Sequence, residues 1–271
     1  MSQKVAAIVV YHNSELTLER CIQGLTAQDY PLEMIILVDS GSSDQKFLLN
    51  LQNKYAIELL LSENLGFSRA NNLGYEKITS DIDFVVLVNP DLFLPVSFVA
   101  DALKICVDTS IGMLSGKLSG YDLEEDRPSG KLDSTGIQRT WYGRWYDRGQ
   151  GEPDQKQYDN LESMPALCGA LLFCRTKALR SFNGVVFDPD FFLYKEDIEL
   201  SLRMRKSGWK LLYHPGLTAY HCRGWQNERS KMSFGQRELA AKSELLLYKK
   251  HPSPYIIWAI FKYLLVKVFR L

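Results

Sequence analysis

Three short polar clusters in this 271-residue chain place carboxylates directly after apolar or aromatic runs. Asp39 ends the run 34–38 and opens D-S-G-S-S-D. Asp91 follows the run 84–88 in Asn89-Pro90-Asp91. Glu196 and Asp197 follow the aromatic stretch 191–194. At the first position a carboxylate can accept hydrogen bonds from a nucleotide base, with small residues letting the ligand approach the backbone. The same residues also make an Asx turn that caps a helix. At the second position a carboxylate can hold a hard divalent cation that neutralises a diphosphate, although N-P-D is equally a turn signal. The third pair suits a general base under an aromatic wall, with Arg203 and Arg205 one or two turns later to meet phosphate. Its alternative is a pair of acids complementing a helix dipole. His221, after a short strand, is either a metal ligand or a structural histidine.

The elements that must position these residues can be read from periodicity. Strands are predicted at 5–10, 34–38, 57–61 and 84–88, the last apolar throughout and so buried on both faces. Helices are predicted at 15–28, with Leu16, Cys21, Ile22 and Leu25 on one face, at 45–54 behind a Ser42/Gln45 capping box, and at 67–78. Such alternation predicts an α/β fold with a doubly wound, mostly parallel sheet. Ligands of such sheets bind at the carboxyl ends of the strands. Here those ends are Tyr11-His12-Asn13, 39–42, Glu63-Asn64 and 89–91, all polar. Residues 119–164, rich in Gly, Asp and Arg, lack a sustained period and read as an insertion or irregular hairpin. Beyond them come a strand at 169–174, a helix at 195–206, short strands around Lys210 and Thr218, a helix at 236–250 and a final segment, 255–271. The expected division is a catalytic domain over 1–228, with halves meeting near residue 118, and a basic amphipathic tail over 229–271.

Composition bounds the function. The chain is 46% hydrophobic and 24% charged with zero formal net charge, which excludes disorder, collagen-like repeats and a disulfide-scaffold mini-protein. The charge is unevenly spread: from Arg229 onward nine basic residues face two acidic ones, on an otherwise acidic body. That body argues against nucleic-acid binding, while the tail calls for an anionic partner. The five cysteines are odd in number and lack C-x-x-C spacing, pointing to reduced thiols in the cytoplasm rather than disulfides or zinc. The run 5–10 is too short for a signal peptide, and no stretch approaches the roughly 20 apolar residues of a membrane span. On a helix Lys262, Lys267 and Arg270 fall within an arc of roughly 140°, with Ile257, Trp258, Ile260, Phe261, Leu264, Leu265 and Val268 largely opposite. With Arg237, Lys242, Lys249 and Lys250 this predicts peripheral attachment to the anionic inner face of the cell membrane. The alternative is a helix packed on the domain or in a homodimer interface.

Taken together, in order and spacing, the motifs resemble glycosyltransferase family 2 with the GT-A fold, from residue 4 to about 225. The matching segments are V-V-Y-H-N at 9–13, V-D-S-G-S-S-D at 38–44, N-L-G-F-S-R-A-N-N-L-G at 64–74 and V-N-P-D at 88–91. They continue with Gly169-Ala170, F-L-Y-K-E-D-I-E-L-S-L-R at 192–203, and His221. The N-x-G-F-x-x-A-N-N-x-G and N-P-D forms, with D-S-T-G at 133–136, look most like the bacterial rhamnosyltransferase branch. The resemblance implies an inverting transfer from a nucleoside-diphosphate sugar, dTDP-L-rhamnose or a UDP-sugar such as UDP-galactofuranose. The acceptor it implies is a glycan or lipid-diphosphate-linked saccharide in surface polysaccharide or O-antigen synthesis. It implies Asp197 as general base with Glu196 as second candidate, and Tyr11, Asn13, Asp39, Asn64, Gly66, Arg69, Asn72 and Asn89 around the donor nucleotide. Arg203 and Arg205 would meet the diphosphate, and Asp91 and His221 would hold Mn²⁺ or Mg²⁺. Trp141, Trp145, Gly169, Tyr194 and Trp225 would face acceptor or sugar. The usual D-x-D is here Asn89-x-Asp91, leaving one carboxylate for the cation. A nucleotidyltransferase would want a Gly-rich phosphate loop with lysine near the first strand, which is missing. A non-catalytic nucleotide-binding protein would not need acids at both 91 and 196–197.

Overall fold

In the computed structural model, which describes residues 2–222 and 232–270, four parallel strands make up the N-terminal half of the sheet. They are β1 (Val5–Tyr11), β2 (Met34–Ser40), β3 (Glu58–Ser62) and β4 (Phe84–Val88), paired in the order β4-β1-β2-β3. The two-residue period of β1 sorts its side chains. Val5, Ala7 and Val9 share a core with Leu18 and Ile22 of α1 (Glu15–Thr26) and Leu48 of α2 (Gln45–Lys54). Ala6, Ile8 and Val10 share the other with Ala70 and Tyr75 of α3 (Gly66–Tyr75). Apolar side chains on both faces explain why β1 and β4 are buried at every position.

The cap of α2 differs from expectation. Asp44 accepts from the amides of Lys46 and Phe47, while the Ser42 hydroxyl accepts from the Asn13 amide. Ser42 is drawn away to join two loops, so the next acid takes the capping role. A capping box does form at Ser233/Gln236, at the start of α7 (Phe234–Lys250).

After β5 (Leu92–Phe93) and α4 (Phe98–Ile105), the chain extends the sheet through β6 (Ile111–Asp122) and β7 (Arg127–Ser134). β8 (Ile137–Arg139) and β9 (Trp145–Asp147) form a separate hairpin, and β10 (Glu162–Ser163) lies at the sheet edge. The span 119–164 is therefore only partly an insertion, since β7 pairs with β6. β11 (Leu171–Arg175) runs antiparallel between β4 and β6. After α5 (Thr176–Arg180) and α6 (Glu196–Lys206), β12 (Lys210–His221) pairs parallel with β6. The two short strands expected around Lys210 and Thr218 are one strand, irregular in register between His214 and Thr218, where Pro215 cannot donate to the ladder. The full order is β10-β12-β6-β11-β4-β1-β2-β3, with β5 on β12 and β7 on β6.

The C-terminal segment is less separate than the sequence suggests. Leu247 and Tyr248 of α7 and Ala259 of α8 (Ile256–Phe269) belong to the same core as the sheet. The orientation of α8 is set by acids of α7. Lys262 turns inward to the buried Glu244, and Lys267 reaches Glu238, both on α7. Two acids on α7 compete with solvent for these lysines, so the apolar side of α8 is left facing outward. All five cysteines are buried and none is in a disulfide. No helix among the described residues is long and apolar enough to cross a membrane.

Candidate active site

The carboxyl ends of the strands supply one continuous edge. Tyr11 stands beside Asp39 in the β1–β2 register, and β4 lies on the other side of β1. The Asn89 amide donates to Ala170 O (2.9 Å), and the Gly169 amide donates to Asp197 Oδ2 (3.0 Å). Asp39 on β2, Tyr11 on β1, Asn89 after β4, and Ala170 with the adjoining Gly169 thus follow one another along the edge to Asp197.

Asp39 has no exposed surface. One oxygen accepts from the Ser42 amide (3.0 Å), and the other is buried without a hydrogen-bond partner. A buried carboxylate oxygen left in this state is costly unless a ligand donates to it. Asn13, at φ 47°, accepts from the Ser43 amide and hydroxyl and fixes the neighbouring loop. Asn64 is exposed and caps the Gly66 amide (3.2 Å). Gly66 has φ +73°, and a Cβ there would approach Phe192 O to 2.5 Å, so only glycine lets α3 start against the 191–195 segment. Tyr11 is fully buried, and its burial and the Glu15 carboxylate raise its phenol pKa.

Asp91 and His221 do come together, with His221 Nε2 3.2 Å from Asp91 Oδ1. Pairing of β12 with β5 brings them into reach. The other imidazole nitrogen, Nδ1, lies 2.6 Å from Asp133 Oδ2, also buried. Burial pushes the imidazole pKa down, but the Asp91 charge and the hydrogen bonds to Asp133 and Asp91 outweigh it and raise the group to about 9. The donor chemistry fits a divalent cation: a carboxylate and an imidazole converge, and Asn89 Oδ1, two residues from Asp91, is buried without a partner. Among the described residues no group of three or more His, Cys, Asp or Glu could hold a metal, so further ligands would come from phosphate and water. Asp133 was not singled out as a site residue because it lies 88 positions from its partner. Only the pairing of β6 with both β7 and β12 unites them.

Glu196 and Asp197 have different surroundings. Glu196 is buried with one oxygen unpartnered; burial, then the adjacent Asp197 charge, push it up to about 8. Asp197 is partly exposed and accepts from the amides of Gly169 and Ile198 at the start of α6. Gly169 matters through space: a Cβ there would stand 2.9 Å from Asp197 Cβ. Tyr194 and Lys195, just before, have φ of 72° and 71°.

Several expected site residues are committed elsewhere. Asn72 donates to Phe187 O (2.7 Å) and accepts from its amide (2.9 Å), so it ties α3 to the 187 segment. Arg203 is held by Glu199 and by the carbonyls of Val185 and Val186. Arg69 donates through Nε to Pro189 O. Arg205 lines a cavity of about 340 Å³ with Gln138, Arg139, Trp145, Pro165 and Leu202, sharing no residue with the Asp39–Asn89 edge. Trp145 is buried, with Arg139 over its ring, whereas Trp141 is exposed. Trp225 lies outside the described residues.

Known proteins resemble this chain in sequence and fold. The family profile for Glycosyl transferase family 2 matches residues 6–172. Over 254 residues, 86% of this chain and 80% of the relative, the sequence is 26% identical to N-acetylglucosaminyl-diphospho-decaprenol L-rhamnosyltransferase of Mycobacterium tuberculosis. The fold is similar to that of GalNAc-T7 solved with UDP, GalNAc and Mn²⁺, at TM-score 0.67 and 16% identity. That likeness covers 99% of this chain, which spans 58% of the length of GalNAc-T7. It is also similar to the mannosyltransferase PcManGT of Pyrobaculum calidifontis in complex with GDP-Man and Mn²⁺, at TM-score 0.62 and 17% identity over 99% of this chain and 71% of the other. These neighbours share the GT-A fold, and with the profile they establish that the chain is a glycosyltransferase belonging to glycosyl transferase family 2, of the rhamnosyltransferase-like kind.

Proposed function

We propose that this glycosyltransferase moves L-rhamnose from dTDP-L-rhamnose, with inversion, onto a lipid-diphosphate-linked saccharide at the inner face of the membrane. The observation that carries the reading is the single edge on which Asp39, Asn89, Gly169 and Asp197 follow one another. Base recognition, diphosphate and reacting hydroxyl need to be lined up in that order. The relative named for a decaprenol-diphosphate acceptor and L-rhamnose supports the donor and acceptor class. The acceptor hydroxyl loses its proton to Asp197 and attacks the anomeric carbon from the face opposite the leaving group. The bond from that carbon to the β-phosphate oxygen breaks, and the nucleoside diphosphate leaves with the electron pair. Gly169 N–H holds the carboxylate in position, and Asp39 accepts from the pyrimidine. A divalent cation held by Asp91 and His221, as Mn²⁺ accompanies the two solved neighbours, would supply charge neutralisation of the departing diphosphate. The cavity carrying Arg139 and Arg205 suits the anionic part of the acceptor.

The test is a transfer assay with dTDP-L-rhamnose and the UDP-sugars, each with and without Mn²⁺, using a lipid-diphosphate-linked N-acetylglucosamine acceptor. Transfer from dTDP-L-rhamnose with inverted anomeric configuration is expected. Transfer from UDP-sugars alone overturns the rhamnosyl assignment, and retention of configuration overturns the single-displacement mechanism.

A further inference from the structure

At 100° per residue, Ile257, Ile260, Phe261, Leu264 and Val268 of α8 fall within an arc of roughly 100°. Their exposures are 73%, 45%, 53%, 52% and 66%, so the arc is an apolar ridge facing away from the protein. The opposite side buries Ala259 and Val266 and turns Lys262 to Glu244. Trp141, 87% exposed, stands edge-on to Tyr142, whose ring meets Trp258 of α8 at a centroid distance of 5.0 Å. A second exposed aromatic group thus stands beside the ridge. Contiguous exposed apolar surface of this kind marks an interaction site.

We propose that this ridge docks in the interfacial layer of an anionic lipid bilayer, with α8 lying in the membrane plane. The helix has 14 residues, too few to span the roughly 30 Å hydrocarbon layer. Charge chooses the occupant. Residues 232–270 carry seven basic and two acidic side chains. Both acids are already paired, Glu238 with Lys242 and Lys267, Glu244 with Lys262. A second copy on the same face would bring two positively charged helix pairs together, whereas anionic headgroups complement them. Lys249 and Arg270 are exposed and have no carboxylate partner among the described residues. Attachment therefore comes mainly from inserted apolar side chains, with charge aiding from the flanks. The proposal deepens the reading of a lipid-linked acceptor and rests on it for the need to reach a bilayer.

The experiment is co-sedimentation of the full-length protein with vesicles of phosphatidylcholine alone or mixed with phosphatidylglycerol. Wild type is expected to pellet with the mixed vesicles. Phe261→Ser/Leu264→Ser should lower the partition coefficient at least ~10-fold through the lost apolar burial. Because both side chains are exposed, the melting temperature and donor cleavage should stay at wild-type values, which separates docking from folding. Equal recovery in the supernatant with and without vesicles overturns the proposal. A wild-type dimer that the double variant dissociates, with no vesicle binding, assigns the ridge to a second copy instead. Vesicle binding without transfer to the lipid-linked acceptor leaves the surface standing and removes the acceptor reading. Transfer to the detergent-solubilised lipid-linked acceptor without vesicle binding does the reverse.

Discussion

Replacing Glu196 by glutamine separates the roles of two adjacent carboxylates. In the folded protein burial, then the Asp197 charge, push Glu196 from the ordinary 4.5 to about 8, so at pH 7 it is mostly neutral. Glutamine keeps that shape and charge, and a change in kcat of less than ~3-fold is expected, against a loss of ~10²-fold or more for Asp197→Asn. The stability consequence has a definite sign. Because its pKa is raised on folding, Glu196 stabilises the folded state fully below pH 4.5, and this contribution is lost as pH rises through about 8. At about 1.4 kcal/mol per pH unit, that window holds at most ~5 kcal/mol. Calorimetric melting between pH 5 and 9 should show wild type losing stability with rising pH, while Glu196→Gln follows a flatter curve and melts higher at pH 9. Parallel curves would refute the burial argument. Equal loss of kcat in Glu196→Gln and Asp197→Asn would refute Asp197 as the only base.

Chelation by EDTA should abolish transfer and added Mn²⁺ restore it, and Asp91→Ala should weaken nucleoside diphosphate and cation binding together; full activity in EDTA contradicts the cation site. Asp133→Asn should weaken Mn²⁺ binding ~10- to 100-fold by electron paramagnetic resonance titration, because the carboxylate that orients the imidazole is lost. Gly169→Ala, by forcing Asp197 aside, should lower kcat ~10-fold or more while leaving donor Kd within twofold. Arg203→Gln should lower the melting temperature by several degrees and leave donor Kd unchanged, since Arg203 holds Glu199 and the 185–186 carbonyls. Donor binding lost at unchanged stability would return it to the diphosphate.

The N-terminal half was legible because its signals are local. The apolar runs of β1 and β4 and the acids at strand ends depend on neighbours a few residues away. Asp39 and Asn89–Asp91 were therefore placed correctly on the edge from the sequence. The centre of the chain was harder because β6 and β7 are defined by partners rather than by period, and β7 begins with Arg-Pro-Ser-Gly-Lys. The partners of Arg203 and Asn72 were hidden for a different reason: motif position gives a residue type, and these hydrogen-bond partners lie 17 or 115 residues away. The orientation of the last helix was not legible because a helical wheel shows two faces without saying which is inside. Glu238 and Glu244, the only acids of α7, decided that by claiming Lys267 and Lys262.

Those same helices also explain how a strained segment persists at the site. Tyr194 and Lys195 occupy the left-handed region in succession, at roughly 1–2 kcal/mol each for residues with a side chain. Such strain survives only where the surroundings over-determine it. On one side the Phe67 amide of α3 donates to Phe192 O (2.8 Å). On the other the Ser243 hydroxyl of α7 donates to Leu193 O (2.9 Å). A turn further into α6, Glu199 accepts from Arg203 and meets His251 Nε2 (3.2 Å) at the end of α7, while Lys250 pairs with Asp188 and Asp190. The segment is thereby clamped between α3 and the C-terminal helices, and α6 begins where Asp197 can accept from Gly169. The helix that carries Asp197, the proposed base, and the helix pair that carries the apolar ridge are one connected body. A bilayer bound at α8 would therefore hold Asp197 at a fixed height above the lipid.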